Sequence, residues 1–247
     1  VADYFLSDVH LRLDHPERSE RLARVVSRLE ANDALYVIGD LCDFWFASRQ
    51  TKRYSNQCHG LRALTDFSDG GGRLVLLGGN HDLWLGDFYE KHLGATWISD
   101  ELRFESHKLR VRLKHGHTFG GQSAWKSAME SRGFLRAFSM LPEPIAYSLE
   151  RGLVKKNAVH KLEDDQKKLE AFRLETQKMS GTADVVILGH AHMQVDESVG
   201  SLRMLILNSW FDRANYLRIG SSGPEFFSPS DAELGIANPI TSPSASH

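Results

Sequence analysis

Five short apolar runs are spaced along the chain, and each is cut off by Gly, Asp, Asn or His: DYFLSDVH, ALYVIGDLCD, RLVLLGGNHD, LRVRLKHGH and DVVILGHAH. Runs of this kind predict strands, and the near-continuous ones predict strands buried on both faces. Between the first three the spacing becomes helical. Glu20 to Leu29 carries Leu22, Val25, Val26 and Leu29, and Tyr54 to Phe67 carries Cys58, Leu61, Leu64 and Phe67. Strands alternating with helices predict an α/β domain whose sheet is covered by helices. In such sheets ligands gather beyond the carboxyl ends of the strands, where all five terminating clusters fall.

A longer helical stretch separates the fourth and fifth runs. Trp125, Met129 and Phe138 lie along one predicted face beside Ala128, Pro142 and Pro144 interrupt, and Ile145, Leu149 and Leu153 recur at four-residue spacing. A further helix is expected from Ala158 to Lys178, with Leu162, Leu169 and Phe172 on one side. This stripe either packs on the main domain or forms an acyl-binding groove or membrane-facing cap, and Phe138 and Leu149 are the substrate-contact candidates of the second reading. Arg132, Arg136, Arg151, Lys155 and Lys156 share the segment. They are either a solvated face or contacts to a diphosphate or anionic headgroups, with Arg132 and Arg136 as the substrate-binding candidates. The expected organisation is one domain over residues 1–227, a helical insertion at about 122–179, and a Ser/Pro/Ala-rich, poorly ordered tail at 228–247.

Composition narrows the classes. With 247 residues, 41% hydrophobic and 25% charged, the chain has the balance of a soluble globular protein. A formal net charge of −2 supplies no basic field, so nucleic acid is not an expected partner. The apolar runs are too short to span a bilayer, and the N-terminal residues do not resemble a signal peptide or anchor. Cys42 and Cys58 make no disulfide framework and fit a reducing compartment. The expected location is the cytoplasm, with peripheral contact at the inner membrane if the apolar segment is a cap. No oligomeric state follows from the pattern.

The chemistry lies in the histidines. Of 12, six (His10, His81, His115, His117, His190, His192) fall in the strand-end clusters. A histidine satisfied in the core is the default for any one of them, and Asp8 by itself reads equally as a helix cap. Six such coincidences are a poor account of the pattern. Asp8 and His10, two apart in an extended segment, point to the same side and offer oxygen and nitrogen donors to one metal. Asp8, His10, Asp40, Asn80, His115, His190 and His192 are too many ligands for one ion with an open position. Two cations sharing one carboxylate, ~3.5–4 Å apart, would use them all and would ionise a water near neutral pH without a separate base.

The motifs DVH, GDLCD, GNHD, HGH and GHAH, in this order and spacing, resemble those of calcineurin-like metallophosphoesterases over residues 4 to about 219. The resemblance implies a four-layered α/β/β/α sandwich, here with a helical insertion as a lid. It also implies Asp8, His10, Asp40 and His192 as ligands of one metal, and Asp40, Asn80, His115 and His190 as ligands of the second. His81 would contact the scissile phosphate or protonate the leaving oxygen, Asp82 would orient its ring, and Asp43 would support the ligands by hydrogen bonds. His117 would contact phosphate or merely finish a turn. GDLCDFWF, LNSWFDRANYLRI and the long helical segment look most like the UDP-2,3-diacylglucosamine pyrophosphatases. That subgroup cleaves a nucleotide diphosphate at its α-phosphorus, giving UMP and 2,3-diacylglucosamine 1-phosphate, a lipid A precursor, usually with Mn²⁺. The chain departs from its well-known enzymes by carrying His81 in place of arginine, and HGH in place of HGD. The competing expectations are a phosphodiesterase or phosphatase for a soluble phosphoester, and a scaffold that has lost its metals. The scaffold reading predicts degraded ligand positions, whereas all seven are intact.

Overall fold

A computed structural model describes residues 1–12, 15–43, 58–121, 142, 145 and 163–236. The first apolar run forms β1 (Asp3–Leu6), followed by helix α1 (Pro16–Val26), β2 (Ala34–Ile38), α2 (His59–Asp69), β3 (Arg73–Leu77), α3 (Gly86–Leu93) and β4 (Thr96–Ile98). Side chains two apart on a strand share a face, which splits each run between two cores. Leu6, Leu35, Val37, Leu74 and Leu76 pack with Leu22, Val25, Leu61, Leu64 and Tyr89 of the three helices. Phe5, Tyr36, Ile38, Val75 and Leu77 point the opposite way.

What they meet is not another helix layer but a second sheet. It is built from β5 (Glu101–Ser106), β6 (Leu109–Lys114), β7 (Val185–Leu188), β8 (Val195–Val199) and β9 (Leu202–Ile206). Val111, Leu113, Val185, Ile187 and Leu205 of this sheet close the central core. Val186, Leu188, Met204 and Ile206 face outward, where Phe172 of α4 (Glu163–Gln177) and Met179 cover them. The layers are therefore α/β/β/α. Each sheet is buried on both faces, as expected, though the cover is a helix layer on one side and the partner sheet on the other. The first sheet runs β11-β10-β1-β2-β3-β4 and the second β5-β6-β7-β9-β8, with β10 (Tyr216–Gly220) and β11 (Gly223–Phe227) forming an antiparallel edge.

Three expectations on boundaries shift. The first helix begins at Pro16, whose fixed φ and missing N–H suit a first turn, and Leu29 lies beyond its end. The expected insertion at 122–179 loses its last part to the domain body, because burial of Phe172 and the Arg173–Glu197 ion pair (2.7 Å) dock α4 on the second sheet. The tail read as poorly ordered from 228 is folded to 236. Arg21 donates to both carboxylate oxygens of Asp231 (2.7 and 2.9 Å), and Leu234 is buried in the first core. A sequence poor in apolar residues is held here by a two-pronged charged hydrogen bond, which hydropathy does not register.

Candidate metal centre

Strands β1, β2 and β3 are mutually parallel, as are β6 and β7 in the other sheet. Their carboxyl ends therefore share one edge within each sheet. The two edges are laced together. His190 N–H donates to Asp8 Oδ2 (2.9 Å), His115 Nδ1 donates to Ile38 O (2.8 Å), and Trp210 N–H donates to Asp8 O (3.1 Å). The chain turns sharply on leaving these strands. Asp8, His10, Asp40, His190 and His192 all have positive φ, between 50° and 65°, so Asp8 and His10 lie past the end of β1 and not in the extended segment expected of them. Asp and His visit this region more readily than most residues, and the cost is about 1–3 kcal/mol each. Gly39, at φ 77°, lets the β2 loop pass the imidazole of His115, where a Cβ would lie 2.5 Å from Nδ1.

Two ligand clusters result, and a third grouping of His10, Asp40 and His81 overlaps them. In the first, His192 Nε2 lies 3.1 Å and His10 Nε2 3.8 Å from Asp8 Oδ1, and the two Nε2 atoms are 3.3 Å apart. In the second, His115 Nε2 lies 3.3 Å from Asp40 Oδ2 and 3.4 Å from Asn80 Oδ1, and His190 completes the group. Asp40 Oδ2 is also 3.9 Å from His10 Nε2, so this carboxylate stands between the clusters. All seven expected ligands are brought together, with Asp40 near both clusters.

The donors fit divalent cations. Asp8 Oδ1 is buried without a hydrogen-bond partner, although Oδ2 lies 2.6 Å from Ser7 Oγ and accepts the His190 amide. An orphaned anionic oxygen aimed at two imidazoles is costly unless a cation fills the gap. His115 donates through Nδ1 to a carbonyl, which leaves the Nε2 lone pair for a metal.

Charge is correspondingly stressed. Burial pushes Asp40 up, but His115 and His81 outweigh it and hold the carboxyl well below its usual range. Burial lowers His115, yet Asp40 beside it lifts the imidazole to about 9, and Asp40 with Asp43 lifts His81 to about 10. Burial and the neighbouring His115 keep His190 neutral, well below its ordinary value. In metal-free protein, His81 and His115 with raised folded values stabilise the fold fully below about pH 6.5, and that stabilisation is lost as pH rises through about 9–10. A cation held by Asp40 and His115 would take the place of the His115 proton, so metal-loaded protein should not share that part of the loss. The gap between loaded and chelator-treated melting temperatures should widen from pH 6.5 to 10. A gap that stays constant or narrows in calorimetry would contradict this charge assignment.

His81 sits beside the clusters, its ring 4.9 Å from that of His10. Its orienting partner is not Asp82 but Asp43, whose Oδ1 lies 2.6 Å from His81 Nδ1 while Oδ2 accepts from Arg12 (3.1 Å). Asp82 points inward, fully buried, and accepts from the amides of Gly79, Asp40 and Leu41 and from the Tyr89 hydroxyl. In the turn after β3 the two neighbours diverge, His81 toward Asp43 and Asp82 toward Tyr89, so adjacency in sequence does not make them partners. His117 lies in the turn after β6 with its ring 5.5 Å from that of His115, and burial followed by that neighbour lowers it to about 4. Arg132, Arg136, Phe138 and Leu149 lie outside the described residues.

Sequence reasoning missed the pair formed by Arg18 and Phe211. The Arg18 guanidinium carbon is 4.6 Å from the Phe211 ring centre, and that ring lies 5.3 Å from His10 and 5.2 Å from His192. Arg21, one turn further along α1, donates to the carbonyls of Trp210 and Phe211. A buried arginine pair at i and i+3 has no hydropathy signature; only the polar face of α1 hinted at it.

A protein of Aeromonas hydrophila named UDP-2,3-diacylglucosamine hydrolase is 28% identical over 236 residues, covering 88% of this chain and 94% of its own. One of the same name from Neisseria gonorrhoeae is 25% identical over 240 residues, covering 92% and 98%. A solved structure described as a novel archaeal phosphodiesterase aligns over 93% of this chain and 100% of its own, at 16% identity and a TM-score of 0.45. The model of the calcineurin-like phosphoesterases matches residues 4–194, a span containing both ligand clusters, and this chain belongs to that family of metal-dependent phosphohydrolases.

Proposed function

We propose that this protein is a dinuclear phosphohydrolase that cleaves the diphosphate of UDP-2,3-diacylglucosamine to UMP and 2,3-diacylglucosamine 1-phosphate, a step of lipid A synthesis, with Mn²⁺ as its metal. The observation that carries the dinuclear reading is Asp40 Oδ2 standing between two clusters of neutral and anionic donors. The substrate rests on two relatives of that name aligned over nearly their full length. Asp8, His10, Asp40 and His192 would hold one cation, and Asp40, Asn80, His115 and His190 the other. When bound, they supply Lewis acidity to the phosphoryl oxygens and lower the pKa of water. His81, steadied by Asp43, donates a proton or hydrogen bond to the departing oxygen. The substrate is amphipathic, and contact with the membrane surface through the apolar residues of 122–162 follows from the proposal. No helix among the described residues is long and apolar enough to cross a membrane.

Purified protein with Mn²⁺ should cleave UDP-2,3-diacylglucosamine faster than a UDP-sugar lacking acyl chains or an aryl phosphodiester. Polar replacements at Phe138 and Leu149 should slow only the acylated substrate. Equal rates on the acylated and non-acylated sugars would assign the protein to a soluble phosphoester instead, a reading favoured by histidine at position 81 where the subgroup has arginine.

A further inference from the structure

Asp82 is a fully buried carboxylate, and among the described residues no cationic side chain donates to it. Four donors converge on it: Gly79 N–H (2.9 Å) and Asp40 N–H (3.2 Å) on Oδ1, and Leu41 N–H (2.8 Å) and Tyr89 O–H (2.9 Å) on Oδ2. Three are backbone amides, and the four donors match the lone pairs of one carboxylate. Burial, followed by the nearby Asp40 carboxylate, raises the Asp82 pKa, so the tether rests on this hydrogen-bond geometry and not on its charge. What these donors share is their position. Asp40 and Leu41 belong to the loop after β2, Gly79 is the neighbour of Asn80 in the loop after β3, and Tyr89 is buried on α3. The two loops approach so closely that a Cβ on Gly79 would collide with Asp40 Oδ1 and the Asp40 amide. On its other side Asp40 Oδ1 accepts the His81 amide (2.9 Å), which leaves Oδ2 for the ligand clusters.

We infer that Asp82 is a positioning residue for the metal centre: anchored by Tyr89, it fastens the Asp40 loop to the Gly79–Asn80 loop and so fixes the direction in which the shared carboxylate presents Oδ2. The inference rests on the dinuclear reading. It assigns Asp82 no part in proton transfer, since its oxygens are occupied by groups other than His81. Asp82→Asn is the informative change. Its amide keeps one acceptor for Gly79 and Asp40, while its NH₂ meets the Leu41 amide donor to donor. Only the tether is damaged, and every ligand remains.

The test uses full-length protein titrated with Mn²⁺, followed by calorimetry, by electron paramagnetic resonance of the loaded protein and by the pH profile on bis(p-nitrophenyl) phosphate. In Asp82→Asn, the weaker-binding Mn²⁺ should lose roughly 10–100-fold in affinity, the range seen when groups supporting a ligand are removed. The exchange-coupled Mn²⁺ pair signal should change, and the acid and base limbs of the pH profile should stay in place. Tyr89→Phe, which removes one donor of four, should weaken the same Mn²⁺ by a few-fold with the profile again fixed. It carries the test if Asp82→Asn does not fold. Unchanged affinity and spectrum in whichever variant folds would overturn the inference, as would a displaced pH limb, which would return Asp82 to the proton chemistry. If wild-type protein binds only one Mn²⁺, the dinuclear reading itself fails.

Discussion

Replacing Asp40 by Asn should remove both metal positions together and cost ~10³-fold or more in turnover, because Lewis-acid stabilisation is worth several kcal/mol and about 1.4 kcal/mol is tenfold in rate. Asparagine is the right probe for a backbone reason. Asp40 sits at φ 53°, a conformation that Asn tolerates and that costs Ala about 1–2 kcal/mol. Asp40→Ala therefore mixes loss of a ligand with strain, whereas Asp40→Asn isolates the ligand. The amide oxygen can still accept the His81 N–H, but an NH₂ replaces the anionic Oδ2 that faces His115 and His10. Elemental analysis should show the two equivalents falling in parallel. Loss of one ion alone would mean that Asp40 belongs to a single site. A variant that keeps both ions and turns over normally would remove the bridge from the proposal.

His81→Ala should leave the metals bound and lower turnover by about 10²–10⁴, the range of a general acid. The effect should be greatest for poor leaving groups and least for an activated aryl ester, which needs little protonation. Asp43 holds the ring, and the carboxylates around it raise His81 to about 10, so in the metal-free site the imidazolium is the resting form. Arginine can stabilise a leaving oxygen but cannot give up its proton at neutral pH. His81→Arg thus separates the two roles: retained cleavage of UDP-2,3-diacylglucosamine would make the role electrostatic and strengthen the lipid assignment. If His81→Ala costs nothing on a poor leaving group, the acid lies elsewhere. Asp43→Asn should reproduce part of the His81→Ala loss, as expected of the ring's partner.

The candidate ligands were legible as a set because each follows a recognisable apolar run, and strand ends can be read one run at a time. Asp8 and His10 stand directly after β1, Asp40 after β2, Asn80 after β3, His115 after β6 and His190 after β7. The support around them was not legible. Asp43 and His81 are far apart in the chain, and their 2.6 Å contact depends on how the β2 and β3 loops lie against each other. Asp82 was misread for the converse reason, since adjacency to His81 says nothing about the inward direction its side chain takes toward Tyr89.

By itself, then, the sequence determined which residues are candidate metal donors, at which end of each strand they gather, and that the apolar strands are buried on both faces. Those are local matters of side-chain chemistry and of where an apolar run stops. Only the tertiary structure decided how the ends of the two sheets meet, that α4 and residues 228–236 belong to the body, and that Asp43, not Asp82, contacts the His81 ring. These are set by non-local packing. The central core of Phe5, Tyr36, Val111, Ile187 and Leu205 presses one sheet on the other, and this brings Asp8 within 3.1 Å of His192 across most of the chain's length.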